Sequence, residues 1–205
     1  LTGDSAAGGA GGWWEPLIGP GRALDTDHAF VICSNILGGC QGSTGPASQD
    51  QLTGRELGMR FPLVTIGDMV SAQRLLLERL GVTRVVAVGG SIGGFQALEW
   101  ATRHADMVSG VVPVAASGAL DAQGIAINEI GRRAIMADPD WRNGAYLQHG
   151  VRPARGNAVA RTSSQLAGLS EQDVRARFET ARTQERSEPT QSTKVSGPSS
   201  AVTTS

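Results

Sequence analysis

Arg84-Val85-Val86-Ala87-Val88-Gly89-Gly90-Ser91-Ile92-Gly93-Gly94-Phe95-Gln96-Ala97-Leu98 is the stretch that decides the fold. Its opening is β-branched with no polar alternation, the pattern of a strand buried on both faces of a parallel sheet. Its end carries an apolar helical stripe, Phe95, Ala97 and Leu98, continued by Ala101. Between them Gly89-Gly90-Ser91-Ile92-Gly93 fits G-x-S-x-G, a nucleophile elbow that lifts a serine hydroxyl above a sheet where strand passes into helix. Such a turn strains the serine backbone, and the flanking glycines keep a Cβ from striking its neighbours. The helix then aims its N-terminus at the site and leaves the Ile92 amide free to bind an oxyanion. Ser91 is the candidate catalytic nucleophile and Ile92 the candidate oxyanion donor. A competing reading, an ordinary βα turn with an incidental serine, has weight because 28 of the 205 residues are glycine. A dinucleotide motif fails on spacing: two residues after Gly89 and Gly90 stand Ser91 and Ile92, where G-x-G-x-x-G needs glycine.

Working outward, residues 108–114 read as the next strand. Upstream, Thr65 with Asp68 three residues on resembles a capping box. Ile66, Met69, Val70, Leu76, Leu77 and Leu80 recur behind it at helical spacing, and Gly81 is placed to end that helix. Earlier still, Ala29-Phe30-Val31-Ile32-Cys33 fits a short buried strand, followed by a Gly-rich loop over residues 35–46. Strands alternating with helices predict an open parallel α/β sheet, with the three strands parallel and adjacent. We divide the chain into a core over residues 1–117, a helical lid segment over 118–184 and a disordered Ser/Thr/Pro-rich tail over 185–205.

Composition narrows the function. The net charge of −1 suggests no nucleic-acid partner. The sole lysine, Lys194, follows Thr193, which excludes a phosphate-binding P-loop. No apolar run reaches the ~20 residues that span a bilayer, and no signal peptide is visible. Cys33 and Cys40 are too few for a disulfide framework or a zinc site, so reduced thiols in the cytoplasm, with no metal and no bound cofactor, are expected. A serine nucleophile needs a base. The histidines are His28, His104 and His149; downstream acids are Asp121, Asp138, Asp140 and Asp173. In the order nucleophile, acid, histidine, only His149 follows Ser91 at sufficient distance, and it lacks a strand–loop–helix context. The triad reads as incomplete.

A wider set of motifs carries a resemblance. These are Leu1-Thr2-Gly3-Asp4-Ser5, Gly12-Trp13-Trp14, Ile18-Gly19-Pro20-Gly21-Arg22-Ala23-Leu24-Asp25-Thr26, Cys33-Ser34-Asn35, Gly42-Ser43-Thr44-Gly45-Pro46, Phe61-Pro62-x-Val64-Thr65-Ile66-x-Asp68-Met69-Val70, and Gly89-Gly90-Ser91-Ile92-Gly93-Gly94-Phe95-Gln96-Ala97-Leu98-Glu99-Trp100. Over residues 1 to about 178 the chain resembles the homoserine O-acetyltransferase family, acyltransferases of the α/β-hydrolase superfamily. The resemblance implies a partial α/β-hydrolase fold with a helical lid beginning after Gly118. It implies a ping-pong reaction of methionine biosynthesis: Ser91 takes acetyl from acetyl-CoA, the co-substrate, and passes it to the hydroxyl of L-homoserine. Ile92 and one amide of the loop at Leu1 or Thr2 would form the oxyanion hole. Arg161, in Ala158-Val159-Ala160-Arg161, would hold the homoserine carboxylate, which a planar guanidinium fits bidentately. The family pairs as homodimers. The chain departs from the family at residues 162–168 and after Phe178, and the family's catalytic aspartate and histidine are missing. It therefore reads as an internal piece with little turnover of its own. A serine O-acyltransferase or O-succinyltransferase, an esterase of the same fold and a non-catalytic remnant are the alternatives.

Overall fold

The computed structural model describes Gly12, residues 14–39 and residues 41–176. Its regular elements are α1 (Ile66–Arg79), β1 (Val85–Gly90), α2 (Ile92–Arg103), β2 (Val108–Val114), α3 (Ala122–Ala137) and α4 (Ala154–Ala167). Short 3-10 turns lie at Glu15–Leu17, Gly58–Arg60 and Pro139–Gly144. The chain forms two compact units, one drawn from residues 1–120 with 143–145, the other from 121–142 with 146–205.

In the first unit, α1 is fixed at both ends by its own sequence. Thr65 Oγ1 accepts the Asp68 N–H at 3.2 Å, and the Asp68 carboxylate accepts the Thr65 N–H at 2.8 Å. That reciprocal pair satisfies two of the helix's unpaired donors. Hydrogen bonds from Thr65 hold the Asp68 carboxyl below its ordinary pKa. At the other end Gly81 takes φ +71°, its N–H reaches the Glu78 carbonyl at 3.1 Å, and the Val82 N–H reaches the Leu77 carbonyl at 2.9 Å. This is the Schellman stop, which favours glycine at the left-handed position.

β1 and β2 pair in parallel, from Val85↔Val108 to Gly90↔Val114, with Ser109 skipped between the first two pairs. Helices α1 and α2 pack on each other, and α2 packs on both strands. Val70 and Leu77 of α1, Trp100 of α2 and Met107 form the core, with Ile32, Val82, Val85, Ala87 and Val108 against it. The opposite face of the strand pair carries Val86, Val112 and Val114, all exposed.

Two expectations need correction. Residues 29–33 are not a strand: Ile32 touches the core, but this segment enters no ladder among the described residues. Its apolar character reports that core contact, and an unpaired segment has no neighbour whose carbonyls and amides could hold it as sheet. Among the described residues the expected three-strand array is thus a two-strand one. The α1 stripe is also narrower than read: Gly67, Val70 and Leu77 are buried, whereas Leu76 and Leu80 lie exposed.

The second unit is built on α3 packed against α4. Small residues form the seam. A Cβ at Gly156 would stand 2.7 Å from Ile135 Cα, and one at Gly131 would stand 3.4 Å from Ala160 Cβ. Asp138, buried after the end of α3, accepts the Gly156 N–H at 2.8 Å and the Asp140 N–H at 3.0 Å. Those amides, Gly156 foremost, hold its carboxyl below the ordinary value. No helix of the described residues is long and apolar enough to cross a membrane. The tail expected over residues 185–205 lies outside the described residues.

Candidate active site

Ser91 stands between β1 and α2 with φ 54° and ψ −118°. A serine with positive φ is strained, as the elbow requires. Three contacts hold it there. Its N–H donates to the Val114 carbonyl at the end of β2, at 2.9 Å. Its own carbonyl accepts the Gly94 N–H at 2.9 Å and the Phe95 N–H at 3.2 Å. The hydroxyl does not cap α2, makes no hydrogen bond among the described residues, and sits on an exposed residue at the C-terminal end of β1. Open parallel sheets bind their ligands at this edge. Ile92 is the first residue of α2, so its N–H has no carbonyl behind it and points the helix dipole at the same place.

The glycines divide by role. A Cβ at Gly89 would fall on the backbone of Gly93, and a Cβ at Gly94 would stand 2.5 Å from Ala116 Cβ. A Cβ at Gly93 meets nothing within 4 Å. The expectation that both motif glycines exclude a Cβ is therefore corrected. Gly89 and Gly94 do so, because β1, α2 and the end of β2 converge on them, while Gly93 faces open space.

The other described candidates stand on other elements. Leu1 and Thr2 lie outside the described residues. Arg161 is exposed on α4, in the second unit. His28 is exposed beside Asp25, its Nε2 at 3.9 Å from that carboxylate. His104 caps the far end of α2, and Arg74 lies 2.7 Å from its Nδ1. Arginine only donates, so Nδ1 accepts. At a rise of ~1.5 Å per residue, the length of α2 separates His104 from Ser91, and it is not the base. His149 is exposed in the second unit. The downstream acids have local partners: Asp121 caps α3 through the Gly124 N–H, Asp138 binds Gly156, and Asp173 bonds Ser170. No group of three or more metal-ligating side chains occurs among the described residues.

Two features near the elbow were not read from the sequence. Ala115, directly after β2, has φ 50°, a conformation that an alanine codon does not advertise. Gln96 is buried within the apolar stripe of α2, where a glutamine among apolar neighbours was the available signal.

Comparison with known proteins follows the same lines. A family model described as the alpha/beta hydrolase fold matches residues 6–199. The chain is 51% identical over 196 residues to a homoserine O-acetyltransferase of Solidesulfovibrio magneticus, covering 92% of this chain and 49% of that protein. It is 52% identical over 168 residues to one of Rhodospirillum rubrum, covering 82% and 43%. Among solved structures it is similar to a homoserine O-acetyltransferase from Bacillus anthracis, with TM-score 0.80 and 30% identity over 85% of this chain and 49% of that one. It is also similar to an acetylester hydrolase from Corynebacterium glutamicum, with TM-score 0.69 and 31% identity over 82% and 48%. The chain spans about half the length of the relatives it matches.

Proposed function

This chain belongs to the alpha/beta hydrolase fold family, and from that premise we propose that it is the nucleophile-bearing part of a homoserine O-acetyltransferase. The observation that carries the reading is the strained Ser91, whose hydroxyl makes no hydrogen bond among the described residues, beside the Ile92 amide. Ser91 Oγ attacks the thioester carbonyl of acetyl-CoA, the hydroxyl proton passes to a base, and the CoA thiol leaves. The acetyl-serine is then attacked by the hydroxyl of L-homoserine, which regenerates Ser91. Ile92 N–H and an amide at Leu1 or Thr2 stabilise the oxyanion of each tetrahedral intermediate. Arg161 pairs with the homoserine carboxylate. Residues 1–117 serve as core and 118–184 as lid, in a cytoplasmic homodimer that needs neither metal nor bound cofactor. Identity near half to homoserine O-acetyltransferases supports the choice of acceptor.

A second reading, an esterase, has the acetylester hydrolase likeness in its favour. One experiment separates them. The chain is treated with p-nitrophenyl acetate and digested, and acetyl-Ser91 is sought by mass spectrometry beside Ser91→Ala. The label is expected on Ser91 and absent from the variant; no label on Ser91 overturns both readings. At the slow rate expected without a hydrogen-bonded base, L-homoserine is expected to hasten loss of the acetyl group, with formation of O-acetylhomoserine. Loss to water at an unchanged rate would favour the esterase.

A further inference from the structure

Gln73, half-buried on α1, and the buried Gln96 and Trp100 of α2 form one connected bracket. Trp100 Nε1 donates to Gln73 Oε1 at 2.8 Å, and Gln73 Nε2 donates to Gln96 Oε1 at 2.6 Å. Gln96 and Trp100 are both only 5% exposed. The indole nitrogen can only donate, so it fixes which end of the Gln73 amide faces it. The other end is then a donor, and Gln96 supplies the acceptor. No charged or apolar side chain of similar size offers one acceptor and one donor in this arrangement.

Gln96 and Trp100 stand four residues apart on α2, one turn along the same face. A single side chain of α1 thus holds α2 at two points along its axis. Two points along the axis resist both sliding and rolling, in addition to the packing of α2 on both strands. The N-terminus of α2 is the Ile92 amide, and its first turn carries the Ser91 carbonyl bonded to Gly94 and Phe95. Helix α1 is itself closed at both ends by its capping box and its Gly81 stop, so the bracket is anchored on a fixed element.

We infer that Gln73 is a positioning residue for the nucleophile: through Gln96 and Trp100 it sets the axial place of α2 and hence of Ser91 and the Ile92 amide. The inference rests on Ser91 being the nucleophile, and it deepens that reading. Displacement of about 1 Å at a reacting group can cost roughly a hundredfold in rate.

The test uses the full chain and the variants Gln73→Met, Gln96→Met and their double variant, with Trp100→Phe as a milder change that breaks one arm only. Amide hydrogen exchange is read at Gly94 and Phe95 against residues 98–103 of the same helix. Gln73→Met is expected to raise exchange about tenfold at Gly94 and Phe95 and little at 98–103. The double variant is expected to match Gln73→Met, which already removes both arms, and to exceed Gln96→Met, which leaves the Trp100 arm in place. Exchange that rises evenly along α2, or not at all, or effects that add, would overturn the inference. Acetylation of Ser91 by p-nitrophenyl acetate is expected to slow roughly tenfold in Gln73→Met, and an unchanged rate would overturn it too. Absence of acetylation in the unaltered chain would count against the nucleophile reading alone, and amide exchange would still decide the role of Gln73.

Discussion

At the scale of single residues, Ser91 is held in a conformation that glycine would adopt without strain. Ser91→Gly should therefore stabilise the chain by about 1 kcal/mol while removing any acyl acceptor, and Ser91→Ala should not stabilise it. Urea unfolding of the three proteins checks this, and a Ser91→Gly variant no more stable than the parent would contradict it. The glycines offer a sharper contrast. Gly94→Ala forces a Cβ into Ala116 Cβ at 2.5 Å and should cost about 1–3 kcal/mol. Gly93→Ala meets open space inside the first turn of α2 and should gain up to about 1 kcal/mol from helix propensity. Equal effects at the two positions would contradict this difference in packing.

At the scale of elements, α3 and α4 depend on small residues and one carboxylate. Gly156→Ala should destabilise the second unit by about 1–3 kcal/mol, because its Cβ would stand 2.7 Å from Ile135 Cα. Asp138 adds a pH dependence with a definite sign. Its folded pKa is depressed by the Gly156 and Asp140 amides. Its contribution is therefore complete above the unfolded value of ~3.9 and is lost as pH falls through the lower folded value. Acid titration of helical circular dichroism should show that loss in the parent and a flatter profile in Asp138→Asn. Coincident profiles would exclude the carboxylate as the cause.

Elements also show what the sequence could tell. The capping box at Thr65 and Asp68, the stop at Gly81 and β2 at Val108–Val114 were legible, because each is specified by residues a few positions apart. The elbow was legible for the same reason. The fate of residues 29–33 was not, since an apolar pentapeptide looks alike whether it pairs in a sheet or lays one isoleucine on a core. Gln73 and Gln96 were passed over because a stripe search counts apolar residues. Their worth lies in a hydrogen bond between elements 23 residues apart in sequence. Arg161 was named only through resemblance, because an exposed arginine on a helix has no local signature.

At the scale of the whole chain, the Ser91 hydroxyl has no hydrogen-bonded base among the described residues. Loss of a triad base costs on the order of 10⁴–10⁶ in kcat, so this polypeptide alone should give little turnover with acetyl-CoA and L-homoserine. Thiol release well above the Ser91→Ala control would refute this, and His149→Ala would then be the first variant to make. The uncovered valine face of the strand pair should promote self-association. Sedimentation should show larger species in the parent than in a Val86→Thr, Val112→Thr variant, and equal distributions would exonerate that face.

The pairing that skips Ser109 bears on how this chain tolerates changes of length. Downstream of it the ladder runs without interruption from Val86↔Gly110 to Gly90↔Val114, and the Ser91 amide closes on Val114. Deletion of Ser109 would let Val108 and Gly110 follow each other as their partners Val85 and Val86 already do. The strand would lose a local bend and keep every later partner. A deletion anywhere from Val111 to Val114 would instead bring a different carbonyl to the nucleophile. The start of β2 is thus the one place in this strand where a codon can vanish and leave the elbow's alignment intact.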